Sequence, residues 1–339
     1  MDESNRPDDS RPIIAHSCQR DGTTLVSVVI TCYNQAHFLS EAIESVLSQT
    51  YRIFEIIVID DGSADHPEQI ASKYSMVCFV GQQNRGVSAA RNSGWRRSKG
   101  EFLVFLDADD RLLPNALQAG LTSLNNHPAC AFTFGAGRLI DAAGKPLPTP
   151  LQTQIENYGY RQLLEGNSMP FPALVMHRRS AFETVGGFNS FVKNAFIGDA
   201  SDYDLYLRIA SNYPIQGHDE LIAEWRQHGA NTSRKSLLML ESCVAVLNGQ
   251  RKLIGGDRQR LLALERGLKR VVTHYGEQLI QELRAQVKSG EINWLHFTRS
   301  LMVLLKLYPS GLIENALRKG KVTVFGFRAP RNDRSQPTD

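Results

Sequence analysis

The sequence Phe-Leu-Val-Phe-Leu-Asp-Ala-Asp-Asp occupies residues 102–110, and the rest of the chain is organised around it. Its unbroken apolar run predicts a strand that is buried on both faces of a parallel sheet. Asp107, Asp109 and Asp110 follow at the carboxyl end, where an open parallel sheet binds its ligand. Because neighbouring carboxylates repel each other, they need a countercharge, and Mg²⁺ or Mn²⁺ with a diphosphate is the simplest one. The alternative is a solvated acidic turn that caps the next helix.

The first half of the chain alternates between strand and helix patterns, which predicts an α/β fold with a mostly parallel sheet flanked by helices. Strands are predicted at Val26–Ile30, Phe54–Ile59 and Val77–Val80, and an apolar stripe over Phe38–Leu47 predicts a helix between the first two. Polar residues cluster where the strands end, as expected for a nucleotide site along the carboxyl edge of the sheet. The four clusters are residues 31–34, 60–63, 84–92 and 107–110.

The second half is less regular. Strands are predicted at Ala131–Phe134, at Phe171–Met176 and near Glu220–Trp225, with a loop over residues 141–157. Gly135 and Gly137 are interpreted as a hairpin or loop pair. A glycine-rich nucleotidyltransferase loop would instead follow the first strand. A helix is predicted after Asp199–Asp204, and helices follow from residue 231 to about residue 317.

Composition excludes several classes of protein. Of the 339 residues, 42% are apolar and 22% charged, which is typical of a soluble globular protein. Five scattered cysteines argue against a disulfide framework or a zinc site and favour a reducing compartment, so a cytoplasmic protein is expected. The polar start of the chain carries no secretory signal, and Leu301–Leu305 is too short to cross a bilayer. A dinucleotide-binding glycine motif is absent, and the leucine-rich basic tail argues against a nucleic-acid partner.

Charge is distributed unevenly along the chain. Residues 231–339 hold 19 basic and 9 acidic side chains, which leaves 19 and 26 for residues 1–230. The surplus suggests that basic amphipathic helices attach the protein peripherally to an anionic membrane, at its cytoplasmic face. A solvated basic helical region is the alternative. The predicted organisation is a disordered leader (1–24), a catalytic α/β domain (25–232), a helical C-terminal region (233–327) and a disordered tail (328–339).

Taken together, the motifs resemble those of glycosyltransferase family 2, whose enzymes have the GT-A nucleotide-sugar fold. The resemblance covers about residues 26–232, and nothing comparable covers the C-terminal hundred residues. The motifs that carry it are residues 28–34, 45–50, 59–63, 84–92 and 106–110, then 186–188 and 202–205, with a weaker match at 226–228.

The resemblance implies roles for individual residues. Six positions would bind the nucleotide sugar: Thr31, Tyr33, Asn34, Asp61, Arg91 and Asp107. Carboxylates suit uracil N–H and ribose hydroxyl groups because they are pure hydrogen-bond acceptors. Asp109 would hold the Mn²⁺ or Mg²⁺ ion, with His228 as a second metal or phosphate contact. The alternatives are a turn residue for Asp61, a surface ion pair for Arg91 and no special role for His228.

Asp202 matches the catalytic base of the family. Ser201 stands where family members often have Glu, which puts the acceptor contacts of that carboxylate in doubt. Asp199 and Asp204 are competitors, although Asp204 should face away from Asp202 on the helix. The expected activity is inverting transfer from a nucleotide-diphosphate sugar, by family habit a UDP-sugar, with GDP and dTDP left open. The acceptor would be a carbohydrate or lipid-linked hydroxyl in cell-surface polysaccharide or glycoconjugate synthesis. The alternative is a non-catalytic nucleotide-sugar-binding or scaffold protein.

Overall fold

The computed structural model describes residues 24–150, 158–192, 195–229 and 235–314. The leader predicted over residues 1–24, except its last residue, and the tail predicted over 328–339 lie outside these ranges. The chain forms two compact units, residues 1–270 and residues 271–339.

The first half of the main sheet is parallel, as its sequence predicts. Strand β1 is buried along its whole length and pairs in parallel with β2 and β4, and β3 pairs with β2 at the edge. The strands are β1 Val26–Cys32, β2 Phe54–Asp60, β3 Val77–Gly81 and β4 Phe102–Asp107. The connecting helices are α1 Ala36–Leu47, α2 Pro67–Ala71 and α3 Val87–Arg97. The carboxyl ends of β1, β2 and β4 therefore meet at one edge, which brings the polar clusters together.

The second half of the sheet is mixed. Beyond β4 the strand order is β8, β6, β11 and β5. Among these strands β6 and β11 pair in parallel, whereas the other neighbouring pairs are antiparallel. Strand β7 pairs antiparallel with β6. These strands are β5 Arg111–Leu112, β6 Phe132–Ile140, β7 Pro146–Pro150, β8 Val175–Arg178 and β11 Ile215–Arg226. A separate hairpin consists of β9 Phe191–Val192 and β10 Ala195–Phe196. The helices are α4 Ala116–Asn126, α5 Tyr160–Glu165, α6 Arg179–Val185 and α7 Ser201–Ala210. The predicted α/β sheet flanked by helices is confirmed.

A buried aromatic cluster holds β4 in place. Phe105 stacks on Phe182 of α6 with ring centroids 5.4 Å apart, and Phe188 meets Phe105 edge-on at 4.9 Å. Burial lowers the pKa of the neighbouring His177 to about 3, so this imidazole is neutral and serves as part of the core. The cluster fixes the strand that carries the acidic residues.

Three local expectations are wrong. Gly135 and Gly137 lie inside strand β6, and part of the predicted loop over residues 141–157 forms the edge strand β7. A Cβ at Gly137 would come 2.9 Å from Leu174 and from Phe171, so this glycine permits close packing. The strand predicted over Phe171–Met176 begins instead with a 3₁₀ turn at Pro172–Leu174.

The C-terminal region is helical in its described part, as predicted. Its helices are α8 Ser236–Ile254, α9 Arg258–Ser289 and α10 Trp294–Leu307. Within the described ranges, none of the helices has the length and apolar character needed to span a bilayer.

The position of Gly137 in a packed strand gives a stability prediction. Gly137→Val should lower the free energy of unfolding by about 1–3 kcal/mol, because its side chain must displace Phe171 and Leu174. Urea unfolding measures this change. The control is Gly256→Val, since a Cβ at Gly256 meets no atom within 4 Å. Equal stability of the two variants would contradict the packing described above.

Candidate active site

A cleft of about 590 Å³ lies at the carboxyl ends of the parallel strands. Eight of the nine predicted site residues line it, although they come from five separate segments of the chain. They are Thr31, Tyr33, Asn34, Asp61, Arg91, Asp107, Asp109 and Asp202. The ninth, His228, hydrogen-bonds to Asp109. The structure therefore brings all nine to one place.

Asp107 is held by two neighbours. Its Oδ1 accepts hydrogen bonds from Thr31 Oγ1 at 3.0 Å and from Arg91 Nη2 at 2.9 Å, and its Oδ2 accepts a second bond from Arg91 at 3.1 Å. Burial lowers the pKa of Arg91, but Asp107 and Asp202 outweigh burial and leave that pKa above its ordinary value. The ion pair suggested for Arg91 is therefore present but buried, and Asp107 neutralises most of its charge.

Asp61 organises the loop that begins α3. Its Oδ1 accepts hydrogen bonds from Gln82 Nε2 at 2.7 Å and from the Arg85 backbone N–H at 3.0 Å, and its Oδ2 accepts one from the Gly86 N–H at 2.8 Å. The carboxylate is buried at the cleft wall. Asp61 is therefore more than a turn residue, and Oδ2 keeps capacity to accept a further hydrogen bond from a ligand.

Asp109 shares one carboxylate oxygen between two side chains. Its Oδ2 lies 2.8 Å from Gln35 Nε2 and 2.8 Å from His228 Nε2. Burial raises the pKa of Asp109, and the nearby charge of Asp107 raises it further. A bound cation would favour the ionised carboxylate that this environment disfavours.

Asp110 and its neighbour Asp109 are hydrogen-bonded to Arg226 of β11. Its Oδ1 accepts the backbone N–H of Arg226 at 2.9 Å, and Arg226 Nε donates to the backbone oxygen of Asp109 at 2.7 Å. The Arg226 guanidinium is fully buried and lies 4.6 Å above the ring of Phe38. Burial, then the charges of Asp109 and Asp107, raise the pKa of Asp110 well above its ordinary value. These contacts tie β11 to the acidic end of β4.

Asp202 lies in the first turn of α7 and lines the cleft. Its Oδ1 accepts the Tyr203 N–H at 2.6 Å, and its charge acts on Arg91. Asp204 pairs with Arg208 at 2.7 Å and with Asn189 at 3.0 Å, and it is not part of the cleft lining, as predicted. The side chain of Asp199 lies outside the described part of the chain.

The donor groups fit a metal ion only in part. Among the described residues, no three His, Cys, Asp or Glu side chains are placed to hold an ion together. Asp109 and His228 supply two adjacent donors. Mg²⁺ and Mn²⁺ commonly keep waters and take only one or two carboxylates when phosphate oxygens complete their shell. The donors therefore fit an ion that is shared with a diphosphate.

One wall of the cleft was not anticipated from the sequence. Trp225 stacks on Phe171 with centroids 5.6 Å apart and planes 18° apart. Phe196, Leu238 and Met239 also line the cleft, and Lys235, at the N-terminus of α8, adds a cation to the lining. Only Trp225 had a signal in the sequence, because it directly precedes the predicted motif at residues 226–228.

A family comparison agrees with this architecture. The model of the family "Glycosyl transferase family 2" matches residues 27–186. The predicted resemblance to glycosyltransferase family 2 is confirmed over these residues. An uncharacterized glycosyltransferase of Rickettsia typhi is 29% identical over 242 residues, which are 68% of this chain and 73% of that protein. Chondroitin synthase of Escherichia coli is 28% identical over 241 residues, which cover 68% of this chain but only 33% of the synthase.

Solved structures confirm the GT-A fold. S. aureus TarS residues 1–349, in complex with UDP, superpose with a TM-score of 0.56 at 18% identity, over 73% of this chain and 72% of that one. A mannosyltransferase from Pyrobaculum calidifontis, in complex with GDP-Man and Mn²⁺, has a TM-score of 0.53 at 15% identity, over 88% of this chain and 90% of that one.

Proposed function

We propose that this protein transfers a sugar from a nucleotide-diphosphate sugar to an acceptor hydroxyl with inversion at the anomeric carbon. The observation that supports the proposal is that Asp202 of α7 lines the same cleft as the carboxylates that end β2 and β4. Displacement with inversion needs a base and a leaving group on opposite sides of one sugar ring.

The nucleoside would lie against Thr31, Asp61 and Asp107. Oδ2 of Asp61 can accept from a base N–H or a ribose hydroxyl, and half-exposed Tyr33 offers its ring to the base. UDP is the preferred nucleotide, because UDP is present in the TarS complex. Because the mannosyltransferase complex contains GDP-Man, a GDP-sugar is the second candidate donor.

The diphosphate would meet three positively charged groups, namely the metal ion, Lys235 and Arg91. Asp109 and His228 would hold Mn²⁺ or Mg²⁺, and Lys235 lies in the same cleft. When bound, the ion offsets charge on the departing diphosphate. Arg91 contributes less than its charge suggests, because Asp107 already neutralises it.

Asp202 would remove the proton of the acceptor hydroxyl as that oxygen attacks. Its carboxylate is largely buried at the wall of the cleft, close to Arg91 and Tyr206. Arg91 is a nearby cation, although Asp107 already offsets part of its charge. Ser201 is buried and occupies the position where the family often has Glu. Asp202 is therefore the acidic residue that α7 contributes to the cleft lining.

Substitution of Asp109 should weaken the binding of the metal ion without removing the binding of the nucleotide. Wild-type protein should show a larger thermal shift with UDP and Mn²⁺ than with UDP alone. Asp109→Asn should lose most of that extra shift, because a neutral amide binds Mn²⁺ weakly. Asp219→Asn, an exposed control outside the cleft, should keep it. An unchanged Mn²⁺ effect in Asp109→Asn would place the metal elsewhere.

Loss of the base should abolish transfer and spare binding. We expect Asp202→Asn to keep its UDP-dependent thermal shift, whereas the rate of UDP release from a UDP-sugar donor should fall by about 10²–10⁴-fold. Asp204→Asn is the matched comparison, because Asp204 lies two positions away and outside the cleft lining. Equal turnover in Asp202→Asn and wild type would assign the base to another group. Nucleotide-sugar binding without turnover in the wild type would favour a non-catalytic scaffold.

We also propose that the protein attaches peripherally to an anionic membrane through α10. One face of this helix exposes large apolar side chains, among them Leu295 at 82%, Trp294 at 66% and Met302 at 63%. With Leu301 and Leu305, these side chains cover about a third of the helix circumference, and Arg299 and Lys306 lie along one edge of this face. An apolar face with a terminal tryptophan and a basic edge is typical of helices that lie in the membrane interface.

Vesicle flotation tests this attachment. The full chain should float with vesicles that contain anionic lipid and much less with neutral ones. Leu295→Glu should reduce the bound fraction several-fold, whereas Leu253→Glu, which alters an exposed leucine of α8, should not. Equal flotation of the two variants, or equal binding to neutral and anionic vesicles, would contradict the proposal.

A further inference from the structure

The cleft has two chemically different walls. One wall holds the carboxylates and Thr31 at the ends of β1, β2 and β4. A second part of the lining, hereafter the apolar wall, consists of the stacked pair Phe171–Trp225 together with Phe196, Leu238 and Met239. The cleft has the size of a small-molecule site, and its two kinds of lining suit chemically different parts of the bound molecules.

The donor accounts for the polar wall alone. Its diphosphate, ribose and sugar are hydrophilic, and its base has the exposed ring of Tyr33 beside Asn34. The C–H face of a sugar ring can pack on an aromatic ring, but a nucleotide sugar has no hydrocarbon chain that would also match Leu238 and Met239. The apolar wall therefore belongs to the second substrate.

The apolar wall lies beside Asp202. Phe196 precedes the 3₁₀ turn Gly198–Ala200, which runs directly into α7. Met239 lies one helical turn before Cys243 on α8. Cys243 is near enough to Asp202 for that charge to add to the effect of burial on the thiol pKa. Asp202 therefore lies near the part of α8 that carries Met239.

The wall also continues towards solvent. Phe191 and Phe196 of the β9–β10 hairpin form an edge-on pair with centroids 5.5 Å apart, and they are 59% and 50% exposed. Ser242 Oγ donates to the backbone oxygen of Phe196, which joins the hairpin to α8. An occupant that leaves the cleft on this side meets aromatic surface.

We propose that the acceptor is an amphiphile: its hydroxyl-bearing head lies at Asp202 and its hydrocarbon chain lies along Trp225, Leu238, Met239 and Phe196. This inference rests on the proposed function and names the class of its second substrate. Each methylene that the wall removes from water should tighten binding by roughly fourfold.

Intrinsic fluorescence can follow occupation of this wall. The variant Trp95→Phe/Trp294→Phe leaves Trp225 as the only tryptophan of the 339-residue chain. This protein, with UDP and Mn²⁺ present, is titrated with methyl, butyl and octyl β-glucoside below the micelle concentration of the octyl compound. We expect octyl glucoside to shift the Trp225 emission to the blue with an affinity at least tenfold above that of butyl glucoside. Methyl glucoside should give no shift.

Substitutions in the same background assign the response to the wall. Leu238→Asn and Phe196→Ser should each weaken octyl glucoside binding by about tenfold or more. Leu253→Asn, on the same helix but outside the cleft lining, should leave it unchanged. Two partly exposed positions are used because such surfaces tolerate polar residues, and thermal unfolding checks that both variants remain folded.

Two results would overturn the inference: equal responses to the three glucosides, or an octyl response that Leu238→Asn and Phe196→Ser leave intact. The UDP-dependent thermal shift is recorded on the same samples. Its absence would count against the proposed function, whereas its presence without an octyl response would count against the amphiphilic acceptor alone.

Discussion

The structure depends on the repulsion between three carboxylates that lie within four positions at the end of β4. Each receives a different partner. Arg91 and Thr31 hold Asp107, the Arg226 backbone N–H holds Asp110, and Gln35 and His228 share one oxygen of Asp109. Burial raises the pKa of both Asp109 and Asp110, so these partners do not remove the cost of ionisation. Asp109, bordered by a neutral amide and an imidazole, is where an arriving cation gains most.

This constraint links distant parts of the chain. Arg226 joins the acidic strand end to β11 and, through Glu41, to α1. It is fully buried, so loss of its guanidinium would leave Glu41 with Arg111 as its remaining ion-pair partner and would remove the hydrogen bonds to the backbone oxygens of Asp109 and Ala142. Arg91 similarly joins α3 to β4 and to the charge of Asp202. The aromatic cluster around Phe105 then holds β4 rigid beneath these charges.

Much of the fold was predictable because its signals are local. The buried strands β1, β2 and β4 are marked by continuous apolar runs, and the carboxyl ends of parallel strands must meet at one edge. The nine candidate site residues could therefore be proposed from the sequence, and the structure brings them together at one cleft. Gly137 was misassigned because a glycine that admits Phe171 looks the same in sequence as a loop glycine. The Phe171–Trp225 stack was missed because it depends on the pairing order of β8, β6 and β11, which no short pattern encodes.

The central claim is that Asp109 and His228 form half of a metal site, which a nucleotide diphosphate completes. Electron paramagnetic resonance of Mn²⁺ tests it most directly, because the signal of the free ion falls when the ion is bound. The full chain is titrated with Mn²⁺ alone and with UDP, and UDP without protein corrects for the ion that the nucleotide itself takes up. The account predicts weak binding of Mn²⁺ alone and one bound ion per chain once UDP is present. Stoichiometric binding without UDP, or no protein-bound ion with UDP, would contradict it.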